Sequence, residues 1–339
     1  HKKIGLISIS KVIKINQSKY MKYKKTAIIF GITGQDGAYL SHFLLQKGYK
    51  VIGTTRDRSS KNLHRLERLN IIKKITIIKG VATNLKFCKK ILRKNINEIY
   101  YLAGDSSVIE SFKTPDISLK SNTEGILNIL QTLKQKKHKA KLFNAGSGQF
   151  YGDNKKNFYN INSKIEPQSP YGVSKAAAYW LIKIYREKYD IYCCTGILFN
   201  HESPLRSRQF VTKKIVDTAL KIKRQKGLKL ELGNVDIIRD WGWAPDYVRA
   251  MWLMMQRSKP RDFIIGSGKT HSLKDFVNEV FEYLDISKKN LKINVAKYKR
   301  KIDLRGYKAN IADTQKKLKW KPRFKFKKII HKMINNELF

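Results

Sequence analysis

Short apolar runs alternate with stretches of helical spacing along most of the chain. The run at 26–30 (Thr-Ala-Ile-Ile-Phe) predicts a strand, residues 38–47 a helix and residues 51–55 a second strand. Further strands are predicted at 75–78, 98–102, 141–144 and 192–198, with helices at 118–134 and 175–189 between them. Strands separated by helices need crossover connections, which makes the fold class α/β with a doubly wound parallel sheet. Ligands then bind outside the carboxyl ends of the strands. Near the C-terminus, residues 319–328 alternate cations with Trp320, Phe324 and Phe326. A short strand with both Phe rings on one face is expected there, in preference to a base-stacking stripe, and a helical pattern follows to Phe339. No apolar run approaches the roughly 18 residues of a membrane span.

Composition adds a charge to explain. The 339 residues hold 71 Lys plus Arg and 26 Asp plus Glu, a net charge of +45. With 42% hydrophobic and 11% aromatic residues the chain still carries enough apolar side chains for a packed core, which argues against disorder. Lys is spread over the whole length beside abundant Ile and Asn, so compositional drift filling solvated faces explains the charge better than a nucleic-acid surface, which would be localised. The three cysteines, Cys88, Cys193 and Cys194, form neither a disulfide framework nor a metal-binding spacing, and a reducing, cytoplasmic setting is expected. The first carboxylate is Asp36. Residues 1–23 are expected to be a basic, disordered extension, lacking the features of a secretory signal. Residues 24–199 are expected to form the cofactor domain, and 200–339 mainly the substrate region, partly returning to the sheet.

The first strand runs straight into Gly31-Ile32-Thr33-Gly34-Gln35-Asp36-Gly37, followed by the helix. In that order glycines permit a tight turn and close backbone approach to a pyrophosphate at a helix N-terminus, the Rossmann-like arrangement. The second strand ends at Arg56, where an acid would hold the ribose 2′-hydroxyl of NAD and an Arg accommodates the 2′-phosphate of NADP; NADP is the expected cofactor. Three strand or helix ends carry reactive groups: Leu102-Ala103-Gly104-Asp105-Ser106-Ser107, Ser147-Gly148-Gln149, and Tyr171 with Lys175. Tyr171 and Lys175 lie one helical turn apart on one face. An ammonium there stabilises a phenolate that takes a hydroxyl proton during oxidation, with Ser147 sharing the hydrogen bond.

From about residue 21 to 322 the sequence resembles the extended short-chain dehydrogenase/reductases, and within them the GDP-mannose 4,6-dehydratases. The resemblance rests on segment 31–37, on 196–206 with Asn200-His201-Glu202-Ser203-Pro204, and on 239–248 with Arg239-Asp240-Trp241-Gly242-Trp243. It implies an NADP-dependent conversion of GDP-mannose, or a related GDP-sugar, to the 4-keto-6-deoxy sugar through an internal hydride cycle. It further implies cofactor contacts at Gly31, Thr33, Gly34, Gln35, Asp36, Gly37, Arg56, Leu102, Ala103, Gly104, Ser106, Tyr171, Lys175, His201 and Arg206. GDP-sugar contacts are implied at Ser107, Asn200, Thr212, Lys213, Arg239 and Arg300, the two Arg residues suiting diphosphate oxygens, with the loop at 203–210 closing over the ligand. Relatives are homodimers or homotetramers. Two positions depart from the pattern. Where the family has its Glu base for proton removal at C5 stands Gln149, and where it usually has Gln stands Asp105. An amide cannot accept that proton. The departure keeps two alternatives open: an epimerase or 4-ketoreductase of the same superfamily, and a GDP-sugar binder with impaired catalysis.

Overall fold

The computed structural model describes residues 24–153, 158–225, 227–298 and 306–339; the extension at 1–23 and Arg300 lie outside them. In chain order the strands are β1 (Lys25–Phe30), β2 (Tyr49–Thr55), β3 (Thr76–Lys79), β4 (Glu98–Tyr101), β5 (Lys141–Ser147), β6 (Phe158–Tyr159), β7 (Cys193–Leu198), β8 (Asn200–Glu202), β9 (Leu230–Leu232), β10 (Ile238–Trp243), β11 (Phe263–Ile265), β12 (Thr270–Ser272), β13 (Leu291–Ile293) and β14 (Gly306–Ala309). The helices are α1 (Gln35–Gln46), α2 (Ser60–Arg68), α3 (Leu85–Ile91), α4 (Val108–Ser111), α5 (Pro115–Leu119), α6 (Gly125–Gln135), α7 (Pro170–Tyr189), α8 (Val211–Arg224), α9 (Ala244–Met255), α10 (Leu273–Tyr283), α11 (Ala312–Leu318) and α12 (Phe326–Ile334).

Seven strands form one parallel sheet in the order β11-β7-β5-β4-β1-β2-β3. Because side chains alternate across a strand, β1 sends Ala27 and Ile29 into a core shared with α1, α2 and α9. It sends Ile28 and Phe30 into the opposite core, built on α3, α6 and α7. Strand order reverses between β1 and β4, and a crevice opens there at the carboxyl ends. A smaller sheet, β12-β10-β14-β6, has β8 alongside β10. It packs near a third core made by α8, α10 and α12. The chain crosses between layers in both directions: β11 closes the large sheet, and β6 joins the small one.

Two expected elements differ. The helix anticipated over 118–134 is divided into α5, a π-helical turn at Lys120–Glu124, and α6. The wider turn lets Ser121 and Asn122 face the loop after β4: Ser121 Oγ accepts the Asp105 N–H at 3.1 Å, and Asn122 Nδ2 donates to the Asp105 carbonyl at 3.2 Å. The expected strand at 319–328 does not form. Lys319 adopts φ +48° after α11, and α12 begins at Phe326. The rings meet separate partners, Phe324 edge-on to Trp243 and Phe326 stacked on His271 at 3.8 Å, so packing overrides the alternation. Neither ring is left to stack a base.

Buried acids tie the layers together. Arg186 on α7 makes a two-pronged contact with Asp262, both N···O distances 2.7 Å, and Asp262 also accepts the Thr195 N–H. Removing one partner of such a pair strands a charge in low dielectric. Arg186→Leu is expected to cost about 3–5 kcal/mol, read as a lower urea midpoint at unchanged slope.

Candidate active site

A cavity of about 850 Å³ occupies the crevice. On one side the turn after β1 brings Gly31, Gly34, Gln35, Asp36 and Gly37 to its wall. Gly31 has φ +87°, and a Cβ there would lie 2.8 Å from the Ala103 backbone, so only glycine lets β1 and the β4 loop close up. Gly34 caps α1 without any side-chain hydrogen bond. The first N–H groups of this 12-residue helix therefore face the cavity under a residue with no side chain, which is the form of a phosphate cradle. The site fits the diphosphate of a dinucleotide.

The cradle is braced by the segment after β7. His201 Nε2 lies 2.8 Å from the Asp36 carboxylate, and Nδ1 lies 2.8 Å from the Phe199 carbonyl. Ser203 Oγ donates to Gln35 Oε1 at 2.7 Å, while Arg65 on α2 donates to the carbonyls of both Leu205 and Thr33. Burial pushes the Asp36 carboxyl up, but the His201 charge and hydrogen bond, with Gln35 and Arg206, outweigh it and hold Asp36 below the ordinary aspartate value. His201 thus lines the cavity with both ring nitrogens engaged by protein, so it joins the two halves in addition to bordering the cofactor groove. Arg206 pairs with buried Glu202 at 3.3 Å and lies over the Phe210 ring at 3.6 Å. Arg206, Ser207, Gln209 and Phe210 of the 203–210 loop border the cavity.

Opposite lie the groups expected to carry the chemistry. Ser147 ends β5 and its Oγ accepts the Gln149 N–H at 3.2 Å. Ser169 caps α7 by accepting the Gly172 N–H, which sets Tyr171 and Lys175 on the inward face of the first turns. Ser147, Gln149, Tyr171 and Lys175 all border the cavity. Lys175 Nζ donates to the Ala145 carbonyl at 2.9 Å and lies 5.7 Å from the Tyr171 ring centre. Burial lowers Lys175 to about 8, with the charges of Asp105 and Asp36 holding it up in part. From the β4 loop, Leu102, Ala103, Gly104, Asp105, Ser106 and Ser107 complete this wall.

Several expected contacts lie elsewhere. Thr212 is buried and donates to Glu202, and Lys213 pairs with Asp217 on its own helix at 2.9 Å, so neither borders the cavity. Their neighbours Val211 and Lys214 do. The apolar positions Ile215, Val216 and Ala219, which face the core, carried the signal: helical period puts 212 inward with them and 214 on another side. Thr33 contributes its carbonyl to Arg65, and Arg56 is exposed beyond β2; neither borders the cavity. Asn200 and Arg239 do border it. Next to Arg239, Asp240 is buried and raised to about 6 by burial, its carboxylate collecting the N–H groups of Ser267, Gly268 and Ala309. Sequence reasoning missed Arg65, Lys113 and Lys214 as cavity cations, because nothing in a lysine-rich chain distinguishes them. Among the described residues, no group of three His, Cys, Asp or Glu is placed to hold a metal, and no helix is long and apolar enough to cross a membrane.

Asp36→Asn keeps the size and removes the charge that meets His201. Its cost is expected to be about 1–3 kcal/mol at pH 7. Because the folded-state pKa of Asp36 is depressed, this contribution is present above pH 3.8 and fades as pH falls through the folded value. Wild-type and variant unfolding curves should therefore converge in acid.

The family model for GDP-mannose 4,6 dehydratase matches residues 28–333. GDP-mannose 4,6 dehydratase 1 of Arabidopsis thaliana is 36% identical over 334 residues, covering 95% of this chain and 92% of that protein. The human GDP-mannose 4,6 dehydratase is 35% identical, with 94% and 92% covered. Among solved structures, a dTDP-glucose 4,6-dehydratase from Bacillus anthracis in complex with NAD superposes with a TM-score of 0.80 at 21% identity, covering 92% of this chain and 96% of the other. A UDP-glucose 4-epimerase from Thermotoga maritima with UDP-glucose gives 0.81 at 20% identity, with 91% and 97% covered; both show the fold alone. A match over most of the length, on a chain whose glycine cradle and Ser-Tyr-Lys group meet in one cavity, makes this chain a member of the GDP-mannose 4,6-dehydratase family.

Proposed function

We propose that this protein is a dehydratase that removes water from GDP-mannose or a related GDP-sugar, using a bound nicotinamide cofactor, NADP. The observation that carries this reading is that Ser147, Tyr171 and Lys175 share one cavity with the phosphate cradle and five cations, Arg65, Lys113, Arg206, Lys214 and Arg239. Asp36 and Asp105 are the acids among the described lining residues, and Asp36 is paired with His201. Such a field suits two diphosphates, one from cofactor and one from substrate. The sequence position of Arg56, directly after β2 where an acid would hold the ribose 2′-hydroxyl of NAD, supports NADP over NAD, although its side chain does not border the cavity.

A nicotinamide cofactor held against the turn at Gly31, Gly34 and Gly37 would supply a hydride acceptor for sugar C4 and a hydride donor for C6. Tyr171, as phenolate, takes the proton of the 4-hydroxyl while Ser147 orients that hydroxyl; Lys175 keeps the phenolate accessible through its positive charge. The resulting ketone acidifies C5, from which a proton must leave before the C6 oxygen departs as water. A second reading, an epimerase or 4-ketoreductase, is favoured by Gln149, whose amide is no base. A cytoplasmic homodimer or homotetramer is part of the first reading.

Incubation with GDP-mannose and catalytic NADP should yield a sugar nucleotide lighter by one water, about 18 Da from the stoichiometry of the elimination. An unchanged substrate mass, with reduction of an added 4-keto sugar by NADPH, would instead establish the ketoreductase. The rate should also fall as pH rises through about 8, where Lys175 loses the proton whose charge supports Tyr171. A flat profile from pH 7 to 10 would remove Lys175 from that role.

A further inference from the structure

If the protein is a dehydratase, some side chain other than Gln149 must take the proton from C5. The described lining residues supply few bases. Asp36 and His201 hold each other, and Tyr171 and Lys175 serve the 4-hydroxyl. Asp105 remains. Its Oδ1 accepts the Ser107 N–H at 3.1 Å, but its Oδ2 is shielded from solvent and has no hydrogen-bond partner among the described residues. Asp105 is half-buried and borders the cavity, and among the described lining residues it is the acid that no histidine holds in an ion pair.

The backbone of Asp105 is also held in place. The π turn grips Asp105 by both backbone groups, through Ser121 and Asn122. Gly104, at φ +132°, leaves room for that grip, since a Cβ there would lie 2.2 Å from Asn122 Oδ1. Asp105 stands near enough to Lys175 for its charge to be felt there. A positioned carboxylate close to the Tyr171–Lys175 pair has what proton removal beside a new ketone requires.

We propose that Asp105 is the catalytic base at sugar C5, carboxylate and amide having exchanged places across the cavity with Gln149. This rests on the dehydratase reading above. The Asp105 carboxylate takes the C5 proton, the C–H electron pair becomes the C5=C6 double bond, and the C6–O bond breaks, the oxygen leaving as water with one proton. Hydride return to C6 and a proton to C5 complete the balance: of the protons released from O4 and C5, one leaves in water and one is replaced at C5.

The test compares wild type, Asp105→Asn, Gln149→Glu and the double variant with GDP-mannose in D₂O, following product mass, deuterium at C5, reduced-nicotinamide absorbance and thermal midpoint. Asp105→Asn should slow water loss and C5 deuteration by about 10²–10⁴ while reduced nicotinamide accumulates, and Gln149→Glu should restore part of the loss. Wild-type C5 deuteration in Asp105→Asn overturns the inference and leaves the dehydratase intact. Equal loss of reduction and elimination at an unchanged midpoint reduces Asp105 to a brace for Lys175, and so overturns it too. Should Asp105→Asn not fold, Gln149→Glu alone decides: little gain fits a base already present, whereas a gain of ~10² or more shows that none is. A wild type that never loses water overturns the dehydratase reading, and this inference with it.

Discussion

The contact between Asp36 and His201 sets the shape of everything around it. A helix N-terminus attracts anions because its first N–H groups have no partners within the helix. An acid in that first turn would compete with a phosphate for the same field. Here the carboxylate meets a histidine from the segment after β7, and Gln35 beside it meets Ser203. Arg65 then bridges the carbonyls of Thr33 and Leu205, so the glycine turn and the 203–210 loop move as one wall. Cradle and cavity depend on a junction between residues 165 positions apart in sequence.

The same economy of acids runs through the molecule. Against 71 cations there are only 26 carboxylates, and several sit in the interior: Glu98, Glu202, Asp240, Asp246, Asp262 and Glu279 are all buried. All but Glu202, whose partners Thr212 and Arg206 are near in sequence, gather donors from distant segments. Glu98 accepts from Lys25, Tyr49 and Tyr100, Asp246 meets the Arg323 backbone and side chain, and Glu279 meets Lys327 and His331. Buried charges need such partners, whereas a solvated lysine needs none. The surplus cations therefore accumulate on the surface, where their mutual repulsion is screened by salt, and the acids act as cross-links between layers.

In the cavity the balance of charge becomes chemistry. Its cations greatly outnumber its two acids, one of which is already paired. Burial lowers Lys175 to about 8, and the charges of Asp105 and Asp36 limit the fall. Asp105 is at once a charge that supports Lys175 and an acid on the cavity wall.

Much of this was legible from residue order. Periods of 2 and 3.6 located the strands of the large sheet, the glycine turn located the cradle, and the four-residue interval located Tyr171 and Lys175 on one face, because each depends only on near neighbours in sequence. The Gln149 and Asp105 positions stood out only against the pattern of the family that the sequence resembles. Tertiary structure alone decided the rest. Phe324 and Phe326 alternate like a strand, but Trp243 and His271 claimed the rings and a helix formed. A regular helix at 118–134 gave way to a π turn because Ser121 and Asn122 bond to the Asp105 backbone from 16 and 17 residues away. Thr212 and Lys213 faced Glu202 and Asp217 while Lys214 took the cavity. Local spacing determines which residues share a face, but what that face meets is set by partners far along the chain, and only folding brings those together.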